Sequence, residues 1–243
     1  MEKEKEKKMR LDKYLAEMQA GSRSQVKTLI RKKQVTVNES IVQRPEYPVD
    51  PKEDKIAVNG REIRYAETEY YMLNKPSGII TATKDGRERT VLDLITGKIR
   101  KDLFPVGRLD KDTEGLLLIT NDGALAHRLL SPKKHVDKVY YAQVRGSVTP
   151  EDQEKFKKGM DIGDEKPCLP SQLTIVESGA ISSVRIKIQE GRYHQIKRMF
   201  QAVDKEVVYL KRLSMGSLTL DPNLKPGEYR LLTSDEIERL KAL

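Results

Sequence analysis

The sequence predicts an α+β protein in which a small, basic module that begins with two helices precedes a larger domain of strands and helices. Three observations support this fold class. Two bounded helical patterns come first, short β-type runs with a tight turn follow, and the later strands succeed one another across hairpin-length links without regular βαβ alternation. At 243 residues, the chain is long enough for a small domain joined to a larger one.

The first module begins with an amphipathic helix that starts near Met9. Ser22 and Gln25 form a capping box that starts a second helix. Three short β-type runs follow, and the last leads into Asn59-Gly60, which predicts a two-residue hairpin turn. A linker near residues 65–69 then separates the module from the rest of the chain.

The larger part carries seven predicted strands and four predicted helices. The helices follow N-caps at Asp122, Thr149 and Thr233, and a fourth helix spans about 193–203. The strands are predicted at residues 70–73, 79–83, 116–120, 139–144, 184–188, 207–213 and 218–220.

Charge is unevenly distributed along the chain. The net charge is +9, and residues 1–65 hold 16 Lys/Arg against 11 Asp/Glu, so about a quarter of the chain carries over half of the excess. Arg23, Lys27 and Arg31 recur every four residues and form one stripe on the second helix. The stripe alone fits a solvated helix face and a phosphate-binding face equally well, although the overall excess indicates a polyanionic partner.

Several classes of protein are excluded by what the sequence lacks. The longest apolar run, residues 116–119, is far too short to span a membrane, and the charged N-terminus is no signal peptide, so we expect a soluble, cytoplasmic protein. Residues 1–8 alternate in charge and are expected to be disordered.

The single cysteine excludes an internal disulfide, and the three histidines have no metal-ligand spacing. Walker, dinucleotide-binding and serine-hydrolase motifs are absent, which leaves carboxylate and phenol chemistry.

The most unusual segment is a charged loop between Gly107 and Gly115 that leads into a fully apolar strand. Such a loop can hold a carboxylate at the edge of a core. The tetrapeptide Arg-Leu-Asp-Lys occurs both here and at residues 10–13. Asp12 of the earlier copy lies in the first turn of a helix, where the dipole favours it. Asp110 has no such helix to explain it. The loop that carries Asp110 is therefore either an ordinary charged surface loop or a functional one.

The first module contains Arg-Leu-Asp-Lys-Tyr-Leu at 10–15, Ser-Arg-Ser at 22–24 and Val-Thr-Val-Asn at 35–38. In these motifs it resembles the S4 RNA-binding domain over residues 9–65. Family members usually carry Gly before the first strand and Asn-Gly after it, where this chain has Gln34 and Asn38-Glu39. The resemblance implies that Arg10, Arg23, Lys27 and Arg31 contact RNA.

Four blocks mark the rest of the chain: Leu-Asn-Lys-Pro-Ser-Gly at 73–78, Gly-Arg-Leu-Asp at 107–110 with its continuation to Gly123, Lys-Val-Tyr at 138–140, and Gly-Arg-Tyr-His-Gln-Ile-Lys-Arg-Met-Phe at 191–200. In these blocks and their order, residues 66–243 resemble the pseudouridine synthases, whose catalytic domain has a mixed, mainly antiparallel sheet flanked by helices. The last block and the ending at 224–230 resemble the RsuA type, which modifies a uridine of small-subunit rRNA.

This resemblance assigns three catalytic residues and implies that neither cofactor nor metal is needed. Asp110 is the expected nucleophile, Lys197 its basic partner where many members carry Arg, and Tyr140 the ring that stacks under the base and serves proton removal. Tyr141 competes with Tyr140, because strand alternation sends the two to opposite faces. Arg108 is expected to hold the target base out of its helix or to fill the vacated space, and Arg192 and Lys75 are expected to contact the substrate.

The expected reaction is isomerisation of one uridine in small-subunit rRNA, free or in an assembling particle, by a monomeric enzyme. Two alternatives stay open at this stage. The target could lie in large-subunit rRNA, or the protein could be a non-catalytic S4-type RNA-binding or ribosome-assembly factor.

Overall fold

The computed structural model of the chain describes residues 8–243 and divides them into two compact units. The expected disordered tail lies outside this range except for its last residue, Lys8. The first unit takes the described residues up to Glu69 together with Gly97–Leu103, and the second takes Tyr70–Thr96 and Phe104–Leu243.

The segment Gly97–Leu103 comes from the part of the sequence that was predicted to belong to the catalytic domain. Its place in the first unit rests on buried polar contacts. The Arg100 guanidinium donates to Glu17 and to the Ala66 carbonyl, and the Glu69 carboxylate accepts the backbone N–H groups of Ile99 and Arg100. Pairing at such sequence distance leaves no local pattern by which the sequence could indicate it.

The first unit contains two helices and two small antiparallel sheets, ordered β1-β4 and β3-β2-β5-β6. The capping box of Ser22 and Gln25 is present, and Asn59-Gly60 joins β5 to β6 with φ of +50° and +78°. Both predictions are confirmed. The elements are β1 (Met9–Arg10), α1 (Leu11–Glu17), α2 (Arg23–Arg31), β2 (Val35–Val37), β3 (Ser40–Ile41), β4 (Pro48–Val49), β5 (Ile56–Val58) and β6 (Arg61–Glu62).

The second unit is built on one mixed sheet with helices packed on it. Its elements are β7 (Tyr70–Lys75), β8 (Phe104–Pro105), β9 (Glu114–Thr120), α3 (Gly123–Leu130), β10 (Lys138–Arg145), α4 (Pro150–Lys158), β11 (Gln172–Glu177), β12 (Ile181–Ile188), α5 (Gln195–Gln201), β13 (Glu206–Met215), β14 (Leu218–Thr219), β15 (Tyr229–Leu231) and α6 (Ser234–Lys241).

The strand order is β11-β12-β10-β13-β9-β7-β15, with β14 paired to β13 and β8 to β9. Strands β9 and β13 run parallel, whereas the other ladders of this sheet are antiparallel. This confirms the α+β prediction of a mixed, mainly antiparallel sheet. The N-caps at Asp122, Thr149 and Thr233 are also confirmed.

The prediction of a strand over residues 79–83 is wrong. The segment forms only an isolated bridge between Ile80 and Thr90, and Thr81 is bonded to Leu109 instead. Its β-branched residues satisfied the strand pattern, but the sheet positions beside β7 are taken by β9 and β15. The pattern also missed β11, β15 and the two-residue β8. Strand β11 is an edge strand with mostly exposed side chains, which weakens the apolar alternation on which detection depends.

Candidate active site

Asp110 lies in the loop that enters the central strand β9, and hydrogen bonds from Thr81 and Thr113 hold this loop in place. Thr81 Oγ1 donates to the Leu109 carbonyl at 2.7 Å and accepts the Leu109 N–H at 3.2 Å. The Thr113 N–H donates to the Asp110 carbonyl at 3.1 Å. The backbone on both sides of Asp110 is therefore fixed by hydrogen bonds, which positions its carboxylate at the edge of the core.

Gly115 allows the loop to join the parallel pair β9–β13. It has φ of +99°, and a Cβ built on it would lie 2.2 Å from the Arg212 carbonyl oxygen. Because that neighbour is backbone, the clash could not be relieved by a side-chain movement. The buried Arg212 side chain supports the same junction, since its Nε donates to the Leu116 carbonyl at 2.7 Å.

Lys75 supports the loop from inside, and the expectation that it contacts RNA is wrong for this structure. Its side chain is fully buried, and Nζ donates to the carbonyls of Pro76, Lys111 and Thr113 at 2.9–3.1 Å. Burial lowers the pKa of Lys75 to about 8, against the opposing charges of nearby acidic residues. A group with three internal partners and no exposure cannot reach a substrate, so Lys75 positions the loop that carries Asp110.

The Asp110 carboxylate meets two basic groups from the segment around α5. Lys197 Nζ lies 3.3 Å from Oδ2, and His194 Nε2 lies 3.5 Å from Oδ1. Lys197 also contacts both oxygens of Asp112, at 2.7 and 2.9 Å. Burial lowers the pKa of Lys197, but its bonds and charge interactions with the two aspartates outweigh this and leave the pKa raised. For Asp112, burial by itself would raise the pKa. The hydrogen bond and charge of Lys197 outweigh burial, so the pKa of Asp112 is lowered.

A pocket opens over Asp110. Asp110, Tyr140 and Lys197 all line it, together with Arg108. Its apolar lining residues include Ile188 and Leu210. The structure therefore brings the three residues expected to be catalytic into one cavity.

Of the two neighbouring tyrosines, Tyr140 faces this pocket and Tyr141 does not line it. Tyr140 is buried and lines the cavity. The Tyr141 hydroxyl is within hydrogen-bond distance of Ser183 Oγ at 3.0 Å, and its ring packs edge-on against Tyr209. Strand alternation in β10 thus separates the two rings, as predicted, and places Tyr140 with Asp110.

Arg192 also lines the pocket, but its guanidinium is engaged within the chain. It donates to Glu190 and Asp164 and to the carbonyls of Lys166 and Pro167, at 2.6–3.3 Å. These bonds tie the loop before β11 to the segment before α5. These bonds give the Arg192 side chain a structural role at the pocket, and Arg108 is exposed at the same pocket.

The basic residues predicted to contact RNA in the first unit share one helix, apart from Arg10. Arg23, Lys27 and Arg31 of α2 are all exposed, opposite the buried Val26 and Ile30. Arg10 is tied through Nε and Nη2 to Asp12, at 3.0 and 2.8 Å, although its side chain remains 56% exposed. The stripe on α2 is thus exposed to solvent.

Sequence reasoning missed two residues at the carboxylate. His194 had no assigned role, since its partner Asp110 is 84 positions away, and Asp112 was not distinguished within the charged loop. The block at 191–200 was the only signal for His194.

Within residues 8–243, no helix is both long and apolar enough to cross a membrane.

The family model described as RNA pseudouridylate synthase matches residues 69–202, and the S4 domain model matches residues 9–56. An uncharacterized RNA pseudouridine synthase of Bacillus subtilis (strain 168), YtzG, is 46% identical over 96% of this chain and 98% of its own length.

Ribosomal small subunit pseudouridine synthase A of Escherichia coli (strain K12) is 40% identical over 94% of this chain and 98% of its own length. A solved crystal structure of a pseudouridylate synthase superposes with a TM-score of 0.67 and 37% identity, covering 96% of this chain and 99% of that one. These matches span both units and agree with the motifs around the pocket. The chain therefore belongs to the RNA pseudouridylate synthase family and is a pseudouridine synthase, an isomerase that acts on RNA and carries an S4 domain.

Proposed function

We propose that this enzyme converts one uridine of small-subunit rRNA into pseudouridine with Asp110 as the nucleophile. The observation that carries the proposal is the pocket in which Asp110, Tyr140 and Lys197 meet. The choice of RNA rests on relatives about 40% identical over nearly their whole length, which are named ribosomal small subunit pseudouridine synthase A.

The reaction follows from the groups around the carboxylate. Asp110 attacks the uridine at the ribose C1′ or at the base C6, and the bond between C1′ and N1 breaks. The base turns and bonds to C1′ through C5, the C5 proton leaves, N1 gains a proton and the aspartate is released. Substrate and product are isomers, so atoms and electrons balance without a co-reactant.

Two neighbours of Asp110 complete this proposal. Lys197 presents a positive charge to the carboxylate at 3.3 Å. Tyr140 offers a ring for the extruded base and a hydroxyl for proton transfer. Extruding a base costs a few kcal/mol, which stacking and added phosphate contacts offset. The exposed stripe on α2 and the exposed Arg108 supply such phosphate contacts.

Tritium release tests the nucleophile. With RNA labelled at uridine C5, the wild type is expected to release tritium from small-subunit rRNA, and Asp110→Asn and Asp110→Ala are expected to release none. Asp235→Asn is the matched control, because Asp235 is an exposed aspartate in the first turn of α6. Normal release by Asp110→Asn would show that the nucleophile is another group.

The target is tested separately from the chemistry. Pseudouridines are mapped in both rRNAs with and without the gene, and loss of one site in small-subunit rRNA is expected. Loss of a large-subunit site would redirect the proposal to that RNA. Retained rRNA binding with no modification of either RNA would indicate a non-catalytic factor.

The proposal also includes a monomeric, cytoplasmic enzyme. Light scattering coupled to size exclusion is expected to give the mass of one 27.8 kDa chain. Comparing naked small-subunit rRNA with partly assembled particles as substrates establishes which of the two is bound.

A further inference from the structure

Tyr193 is a large aromatic residue that the proposed chemistry leaves unused. It is 76% exposed, the highest value among the exposed large hydrophobic residues that the structure describes. Its ring stacks on His194, with 3.8 Å between the ring centroids and 18° between the planes. His194 in turn lines the pocket and lies 3.5 Å from Asp110. The two rings therefore form a stack that leads from the carboxylate to solvent.

The backbone under this stack is held in place. His194 has the left-handed φ of +48°, its carbonyl accepts the Arg198 N–H at 2.9 Å, and the Tyr193 carbonyl accepts Arg198 Nη1 at 3.2 Å. On the other side, the buried Gln195 side chain accepts the Arg192 N–H and donates to Glu190. The ring is thus presented on a fixed turn, which reduces the entropy lost when a ligand stacks on it.

The exposed face of Tyr193 suits a planar, aromatic ligand. One face is covered by His194, and the exposure of the residue requires the other to be open to water. Nucleobases stack on such faces whatever their sequence, and an RNA whose target uridine occupies the pocket must carry its next nucleotides past the pocket mouth. The exposed Arg108 lies at the same pocket and can meet the backbone phosphates of that strand.

We propose that Tyr193, backed by His194, is a stacking site for the base of a nucleotide directly flanking the target uridine. This inference rests on the proposed function, because it requires the uridine to bind over Asp110. It assigns Tyr193 to substrate binding and not to the chemical step.

The test uses the full chain and synthetic RNAs in which the nucleotide on either side of the target is intact or abasic. Tyr193→Phe, which keeps the aromatic face, is expected to match the wild type. Tyr193→Ala and Tyr193→Leu are expected to raise KM on intact RNA by about 10-fold or more, with kcat little changed. On the RNA that is abasic at the stacking position, wild type and Tyr193→Ala are expected to give the same KM. Val176→Ala, at another exposed apolar residue, is the control.

A direct readout accompanies the kinetics. With 2-aminopurine at the flanking position, binding to the wild type is expected to quench its fluorescence, and binding to Tyr193→Leu is not. If the wild type is active and the KM of Tyr193→Ala and Tyr193→Leu is unchanged, the stacking inference would be overturned and the proposed function would stand. An equal rise in KM on intact and abasic RNAs would also overturn the stacking inference, because the ring would then contact something other than the base. A wild type without tritium release from any rRNA would overturn the proposed function, and this inference with it.

Discussion

The Lys197 ammonium group forms ion pairs with two carboxylates at the pocket. Its Nζ lies 3.3 Å from Asp110 Oδ2 and 2.7 Å from Asp112 Oδ1. The two aspartates contribute unequally, since the side chain of Asp112 is 68% exposed and that of Asp110 is 27% exposed. Lys197 is held by the outer aspartate while it faces the inner one. The loop between Gly107 and Gly115 thus supplies both the proposed nucleophile and an anchor for its cationic neighbour.

Replacing Lys197 tests this arrangement. Lys197→Ala removes the charge that faces Asp110, and we expect kcat to fall by about 10²- to 10³-fold, as for loss of other preorganised electrostatic partners. Lys197→Arg keeps the charge and is expected to retain most activity. Tritium-release kinetics measure these effects, with the exposed Lys157→Ala as control. Full activity in Lys197→Ala would refute the electrostatic role.

The two tyrosines of β10 form a matched pair for mutation. Tyr140→Phe keeps the ring in the pocket but removes the hydroxyl, so we expect kcat to fall by about 10²- to 10⁴-fold, as for loss of a general acid–base group. Tyr141→Phe removes only the contact with Ser183 and is expected to leave both kcat and KM near the wild-type values. The opposite ranking in steady-state kinetics would assign the proton transfer to Tyr141.

The buried Lys75 predicts a defined pH dependence of stability. The pKa of Lys75 in the folded protein is about 8, below the ordinary value of 10.5. Between these two pH values, Lys75 is protonated in the unfolded chain and deprotonated in the folded protein. The burial penalty on Lys75 is present in full below about pH 8 and eases as the pH rises toward 10.5. The Tm of the wild type relative to Lys75→Met is therefore expected to increase over this window.

Thermal unfolding of both proteins from pH 7 to 10.5 measures this difference. Lys157→Met, at an exposed lysine, is expected to keep a constant difference from the wild type. A pH-independent difference for Lys75→Met would mean that Lys75 does not titrate as its burial requires.

The basic stripe on α2 predicts the salt dependence of RNA binding. Lys27→Ala and Arg31→Ala are each expected to weaken binding and to lower the slope of log K against log salt by about 0.7–0.9 per lost phosphate contact. Lys52→Ala, at an exposed residue of the same unit outside α2, is the control and should preserve the slope. Unchanged slopes for both stripe variants would return these residues to an ordinary solvated helix face.

The sequence by itself determined the helix caps, the hairpin turn of the first unit and the family. The capping box at Ser22, the Asn59-Gly60 turn and the caps of α3, α4 and α6 each depend on residues a few positions apart, so short-range pattern was sufficient to predict them. The motif containing Asp110 likewise identified the synthase, because its residues are contiguous in the chain.

Only the tertiary structure decided which side chains meet. Lys75 and Arg192 sit in blocks that resemble substrate-contacting motifs, yet their donors are taken by carbonyls and carboxylates of loops up to 38 positions away. His194 reaches Asp110 across 84 positions, and residues 79–83 satisfied a strand pattern for which the sheet has no place. Burial and hydrogen bonding in these cases are set by which strands pair, and strand pairing depends on contacts distant in sequence that local periodicity does not encode.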